Sequence, residues 1–173
     1  MLVAFAVSGV ILTVLISFIV YAAKSFAGME NYVDLEQKSQ LALDTLTREI
    51  RETQYLTNFG TRTVNGTRLT NQLIFVDSDG YPLTYHFTNN ILLKQKQDSA
   101  GNVTSSILLT NVDYLSFLIF QRNPVGGSYD QFPTTNSSAC KLISVSWVCS
   151  RSILGSKLNT ESVQTAKIVI RKQ

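Results

Sequence analysis

The sequence predicts an α+β protein in which one long amino-terminal α-helix packs on an antiparallel β-sheet. Three observations carry that expectation. Residues 1–23 contain no charged side chain, and charge begins abruptly at Lys24. Residues 24–58 keep a helical rhythm, with Leu35, Ala42, Leu43, Leu46 and Ile50 recurring at spacings of three, four and seven on one face. Beyond Gly60 the apolar period shortens to two, the alternation of strands.

The first segment, residues 1–23, has the length and character of a membrane span. At ~1.5 Å per residue a helix of this length crosses the ~30 Å hydrocarbon core of a bilayer. Val, Ile, Leu and Phe dominate it, and only Ser8, Gly9, Thr13 and Ser17 interrupt with small or weakly polar side chains. A cleaved signal peptide carries a basic leader and a small-residue cleavage site, and neither flanks this run. The segment is therefore expected to stay in the working protein, with lipid or the apolar helices of other chains as its partner. Phe5, Gly9, Ile11, Leu15 and Phe18 are the candidate helix-bundle residues.

Residues 24–58 read as an amphipathic continuation of the same helix. Leu35, Leu43, Leu46 and Ile50 form the face expected to clamp it on the sheet. Asp34 and Lys38, then Asp44, Arg48 and Glu52, stand four apart and predict ion pairs on the outer face. No proline precedes Pro82, so nothing breaks the rod. Asn58, Phe59 and Gly60 make the expected stop, glycine taking the left-handed conformation that ends helices. The two segments together predict one helix of about 55 residues, roughly 80 Å long.

Residues 59–173 form the expected sheet domain, large enough for one core. Residues 72–76 and 81–87 flank Asp77, Ser78, Asp79 and Gly80, a hairpin signal. Asn89 and Asn90 then turn the chain into residues 91–95, completing a three-stranded meander. Residues 106–109 and 114–120 are further short strands, and 141–148 should pair with 165–171 as a last hairpin. Residues 122–139, with Gly126, Gly127, Pro124 and Pro133, read as a surface loop.

Composition and motifs exclude several functions. The net charge of +3 comes from interspersed residues, with no basic cluster interleaved with aromatics, so no nucleic acid is expected as a partner. Asn65, Asn102 and Asn136 each open an N-glycosylation triplet, and such triplets also arise by chance in a chain rich in Thr, Ser and Asn. The sole histidine, His86, lies in an alternating strand and reads as a half-buried sheet residue. There is no nucleophile elbow, phosphate-binding loop or haem-attachment motif. The loop from Asp77 to Gly80 starts like a calcium loop but lacks the closing glutamate. No cofactor, no metal and no enzymatic activity are expected.

Cys140 and Cys149 are the candidate disulfide pair. Nine residues of unbroken strand would hold their Cα atoms roughly 30 Å apart, however, against the ~4.4–6.8 Å of a bridge. Ile143, Val145, Trp147 and Cys149 alternate, which favours that unbroken strand with Cys149 facing the core. The aromatics Phe5, Phe18, Tyr21, Phe26 and Tyr32 along the helix suit helix packing rather than charge transfer.

Two stretches carry a family resemblance. Met-Leu-Val-Ala-Phe-Ala-Val-Ser-Gly-Val-Ile-Leu-Thr-Val-Leu-Ile over residues 1–16 resembles the start of a type IV pilin or type II secretion pseudopilin. Ala-Leu-Asp-Thr-Leu-Thr-Arg-Glu-Ile-Arg over residues 42–51 resembles the helical shoulder of the minor-pilin branch. The resemblance implies a structural subunit of a type IV pilus-like extracellular filament, held in the cytoplasmic membrane before assembly. It also implies polymerisation with copies of itself and help from an assembly ATPase and a membrane platform protein. In that class a glutamate precedes such a Met-Leu-Val-Ala stretch, near a processed and methylated amino terminus. The nearest acid here, Glu30, is roughly 44 Å from Met1 along a helix, so the resemblance predicts a mature chain continuing upstream with a glutamate immediately before Met1. A monomeric membrane-anchored binding protein and a minor pseudopilin of a secretion or DNA-uptake apparatus are the alternative expectations.

Overall fold

A computed structural model of the chain describes residues 2–64, 66–122, 130–152 and 161–171. It has one long amino-terminal helix packed on a large, curled antiparallel sheet, an α+β architecture. Helix α1 (Leu2–Glu52) runs unbroken for 51 residues, roughly 77 Å. Among the described residues nine strands follow: β1 (Tyr55–Val64), β2 (Thr67–Val76), β3 (Pro82–Thr88), β4 (Ile91–Gln97), β5 (Val103–Leu109), β6 (Val112–Arg122), β7 (Gln131–Pro133), β8 (Leu142–Ser150) and β9 (Glu161–Val169). Their order is β5-β4-β3-β2-β6-β8-β9, with β1 added on β2 and β7 on β6.

The helix ends six residues before the expected stop at Asn58, at Glu52. Thr53 closes it by donating both its amide (3.3 Å) and its hydroxyl (2.7 Å) to the Ile50 carbonyl. The Gln54 amide then bonds the Val76 carbonyl at 2.9 Å and opens the β1–β2 ladder. Asn58, Phe59 and Gly60 therefore lie inside β1, a strand rich in Tyr, Thr, Phe and Val. Gly60 serves close packing there: a Cβ in its place would stand 2.8 Å from the Gln72 side-chain oxygen on the paired strand.

The meander forms through two tight turns. Asp77 and Gly80 close the first, with the Gly80 amide donating to the Asp77 carbonyl at 3.0 Å and φ at +86°. Asn89 and Asn90 both hold positive φ (49° and 61°), the conformation that a two-residue hairpin turn demands. The final hairpin pairs β8 with β9 from Leu142↔Val169 to Ser150↔Glu161, starting earlier on β9 than residue 165. The expected loop over residues 122–139 contains the short β7 and a 3₁₀ turn at Ser137–Ala139, while residues 123–129 lie outside the described residues.

The concave face of the sheet buries Phe75, Tyr85, Phe117, Val145, Trp147 and Ile168. Cross-strand neighbours Leu115↔Trp147, Phe117↔Val145 and Ile119↔Ile143 bring the β6 and β8 contributions level with one another. Helix α1 runs along β9 and also touches β8 and β5, so strands from both ends of the sheet order reach it. The sheet thus wraps the second half of the helix and leaves the first half projecting.

Candidate functional site: two faces of one helix

The face toward the sheet is built from Leu35, Ser39, Ala42, Leu46 and Ile50, all buried, with Leu43 partly buried beside them. Their steps of three and four residues keep them on one side of a 3.6-residue helix. Polar ties fix its position. Trp147 donates its indole N–H to Ser39 Oγ at 2.6 Å, deep in the core. Glu36 accepts from Ser162 Oγ (2.7 Å) and Gln164 Nε2 (2.8 Å) on β9. The Ser162 hydroxyl is the main reason that its carboxyl lies below the ordinary glutamate range.

Arg151 pairs with Asp34 at 2.6 Å, and Lys38 joins the same carboxylate at 2.9 Å. Near the other end, Glu49 accepts the Tyr85 hydroxyl at 2.5 Å and pairs with Lys94 of β4. Burial first, then donation to Glu49, pushes the Tyr85 phenol well above its usual value. Asp34, Glu36 and Glu49 thus reach across to the sheet side. Asp34 and Lys38 form the expected pair, but among the described residues Asp44, Arg48 and Glu52 form no ion pairs with one another.

Residues 2–21 are exposed on every side, and in the second half the face opposite Leu35, Ala42 and Leu46 is uncovered as well. Phe5, Ile11, Leu15 and Phe18 are all exposed, and Gly9 has no neighbouring atom within 4 Å of where a Cβ would stand. The hydroxyls of Ser8, Thr13 and Ser17 bond the carbonyls of Ala4, Gly9 and Thr13, four residues back, at 2.8–2.9 Å. These few polar side chains are thereby satisfied within the helix, as an apolar surrounding requires. The helix is long and apolar enough to cross a membrane.

The sequence reading missed that the bare stripe does not stop at Lys24. Phe26, Met29, Val33 and Leu41 follow at steps of three, four and eight, with exposures of 72, 66, 46 and 69%. Counted back by helical steps, they align with Phe5, Ile11 and Leu15; Phe18 flanks the line and Gly9 lies to its side. They stand about half a turn from Leu35, Ala42 and Leu46. The spacing was present in the sequence, but only the burial of the other face shows that this one is left over.

The remaining candidates fall elsewhere. Cys140 and Cys149 are free and buried, just before and near the end of β8, and no disulfide joins them. Burial pushes both thiols up to about 11. Asn102 is exposed in the β4–β5 turn and donates its side-chain amide to Asp98 at 3.1 Å. Asn136 is exposed and caps the 3₁₀ turn, while Asn65 lies outside the described residues. His86 is half-buried in β3. Among the described residues no three His, Cys, Asp or Glu side chains gather to hold a metal. A comparison with protein-family models and with curated proteins finds no match for the chain.

Proposed function

We propose that this chain is a structural subunit of a type IV pilus-like extracellular filament, polymerising through its amino-terminal helix. The observation that supports this reading is the length of the bare apolar stripe. From Leu2 to Val33 it extends roughly 47 Å, about half as long again as the ~30 Å that lipid tails cover, and Leu41 stands exposed beyond Gln37. Lipid therefore accommodates residues 2–23 and leaves Phe26, Met29, Val33 and Leu41 facing water. Parallel helices of other copies, staggered along one another, cover both parts.

The mechanism is one of exchange. Before assembly the span rests in the cytoplasmic membrane with its backbone bonds satisfied internally. On assembly it moves from lipid to a bundle of identical helices, and the sheet domains form the outer wall. Lipid and bundle are comparably apolar, so helix packing and contacts between sheet domains set the direction. A head-to-tail contact that does not close on itself yields an open helical polymer. Pulling the span out of lipid requires work, which assigns roles to an assembly ATPase and a membrane platform protein.

Negative-stain microscopy of sheared cell-surface material, with mass spectrometry of the filaments, tests the reading. The chain should be a constituent of the filaments. Its confinement to the membrane fraction, with filaments that lack it, would overturn the proposal in favour of a monomeric membrane-anchored binding protein or a pseudopilin of a secretion or DNA-uptake apparatus.

A further inference from the structure

Lys24 and Asp44 are both exposed on α1, and among the described residues neither makes an ion pair. They stand on nearly opposite sides of the rod. Lys24 precedes Ala42 by roughly five whole turns, so it lies in line with the sheet-clamped face, below the point where the sheet begins. Asp44 follows Phe26 by roughly five whole turns, so it lies in line with the bare stripe, just beyond Leu41. Taking the filament reading as given, we propose that the bare side of residues 26–41 docks the uncharged segment of a second, parallel copy set roughly 30 Å further along the rod, with the second copy's Lys24 paired to Asp44.

Space sets the minimum offset. In the second copy the sheet clamps α1 from Leu35 onward, on the side that carries Lys24 and faces the first copy. That sheet has room only beyond Glu52, where the first helix ends, so the copies are offset by at least the stretch from Leu35 to Glu52, roughly 26 Å. Glu30, another exposed acid near the stripe, would meet Lys24 at an offset of only about 9 Å. There the second sheet would run into residues 41–52 of the first helix.

Charge then selects the register. At the minimum offset Lys24 is level with Leu41, and the first acid beyond it on the bare side is Asp44. Reaching Asp44 takes the offset to roughly 30 Å, a few ångströms past the steric limit. Residues 6–21 of the second copy, all uncharged, then lie along residues 26–41 of the first and cover Phe26, Met29, Val33 and Leu41. An ion pair that closes the end of an apolar seam acts on register and partner choice more than on raw affinity. The contact joins unlike faces of identical chains, so it does not close on itself and repeats along a row of copies.

The test uses sheared filaments from cells making the full chain. Lys24 and Asp44 stand roughly 30 Å apart along one helix, so a zero-length carbodiimide cross-link between them joins two copies. Mass spectrometry of the cross-linked filaments should find the Lys24–Asp44 product. Lys24→Asp and Asp44→Lys should each lower filament yield about tenfold, and the double exchange should restore it to within about threefold of wild type. Both side chains are exposed, so near-UV circular dichroism of each variant in detergent should match wild type. Filaments that contain the chain without this product, Lys24 linked to Glu30 instead, single exchanges that assemble normally, or a double exchange no better than the singles would overturn the register and leave the filament reading standing. Filaments that lack the chain altogether would overturn both.

Discussion

Leu46 has no exposed surface, although it sits on a helix whose other face is bare. Truncating it to alanine in the full chain in detergent should cost about 2–5 kcal/mol in chemical denaturation of the sheet domain. A loss under about 1 kcal/mol would mean that the helix does not carry the core. Glu49 makes a different contribution, since it alone receives the buried Tyr85 hydroxyl while pairing with Lys94. Glu49→Ala leaves a buried donor and a half-buried ammonium without their acceptor, and should cost about 3 kcal/mol. Glu49→Gln, which keeps an acceptor for Tyr85, should cost clearly less, and equal losses for the two variants would show that the hydrogen bond is unimportant.

Glu36 makes stability depend on pH. Its folded carboxyl lies below the ordinary value of 4.5, chiefly through Ser162. Its contribution is therefore present above that value and lost as pH falls through the lower folded one. Asp77 acts in the same sense: burial raises it, but Lys96 and the Ser78 amide together outweigh burial and lower it. Denaturation midpoints should be flat between about pH 5 and pH 8 and fall below that range, and Glu36→Gln should flatten that acid slope. An unchanged slope in the variant would remove Glu36 from the account.

At the scale of elements, the helix face was legible because a 3.6-residue period over residues 35–50 is a strong local signal. Its end was not. Asn58, Phe59 and Gly60 carry a helix-stopping signature, yet the same residues fit a strand once β2 offers its hydrogen-bonding edge. That choice is made by a partner distant in sequence, so a local reading cannot weigh it. The sheet-side roles of Asp34, Glu36 and Glu49 were hidden for a related reason: they depend on how far the sheet curls around the helix. The divergence of β2 from β6 after their single bridge has no sequence signature at all.

Helix α1 is continuous through Gly9 in the isolated chain. Within a filament, the stretch Ser8, Gly9 and Val10 should unwind locally, because glycine costs about 1 kcal/mol relative to alanine and β-branched neighbours weaken the helix further. A filament map with unbroken helical hydrogen bonding from Leu2 to Ala23 would refute this.

At the scale of the whole molecule, one rod carries two jobs on two sides. The wrapped side fixes the sheet domain, and the bare side stays exposed, the surface that the filament proposal gives to contacts with other chains. Leu41→Asp places a charge on the bare side only, so it should leave the denaturation midpoint of the sheet domain within about 0.5 kcal/mol of wild type. Under the filament proposal it should also reduce the yield of sheared filaments. A large drop in domain stability instead would mean that Leu41 belongs to the core.

Trp147 is the only tryptophan in the chain, and its indole is buried against Ser39 where the two sides of the fold meet. The protein therefore carries its own optical gauge of that junction. Helix and sheet cannot part without wetting this one ring, so a red shift of its emission reports undocking with no label attached. Extraction from lipid with the junction intact would leave the colour unchanged. One wavelength thus separates a subunit that travels as a rigid piece from one that comes apart on the way.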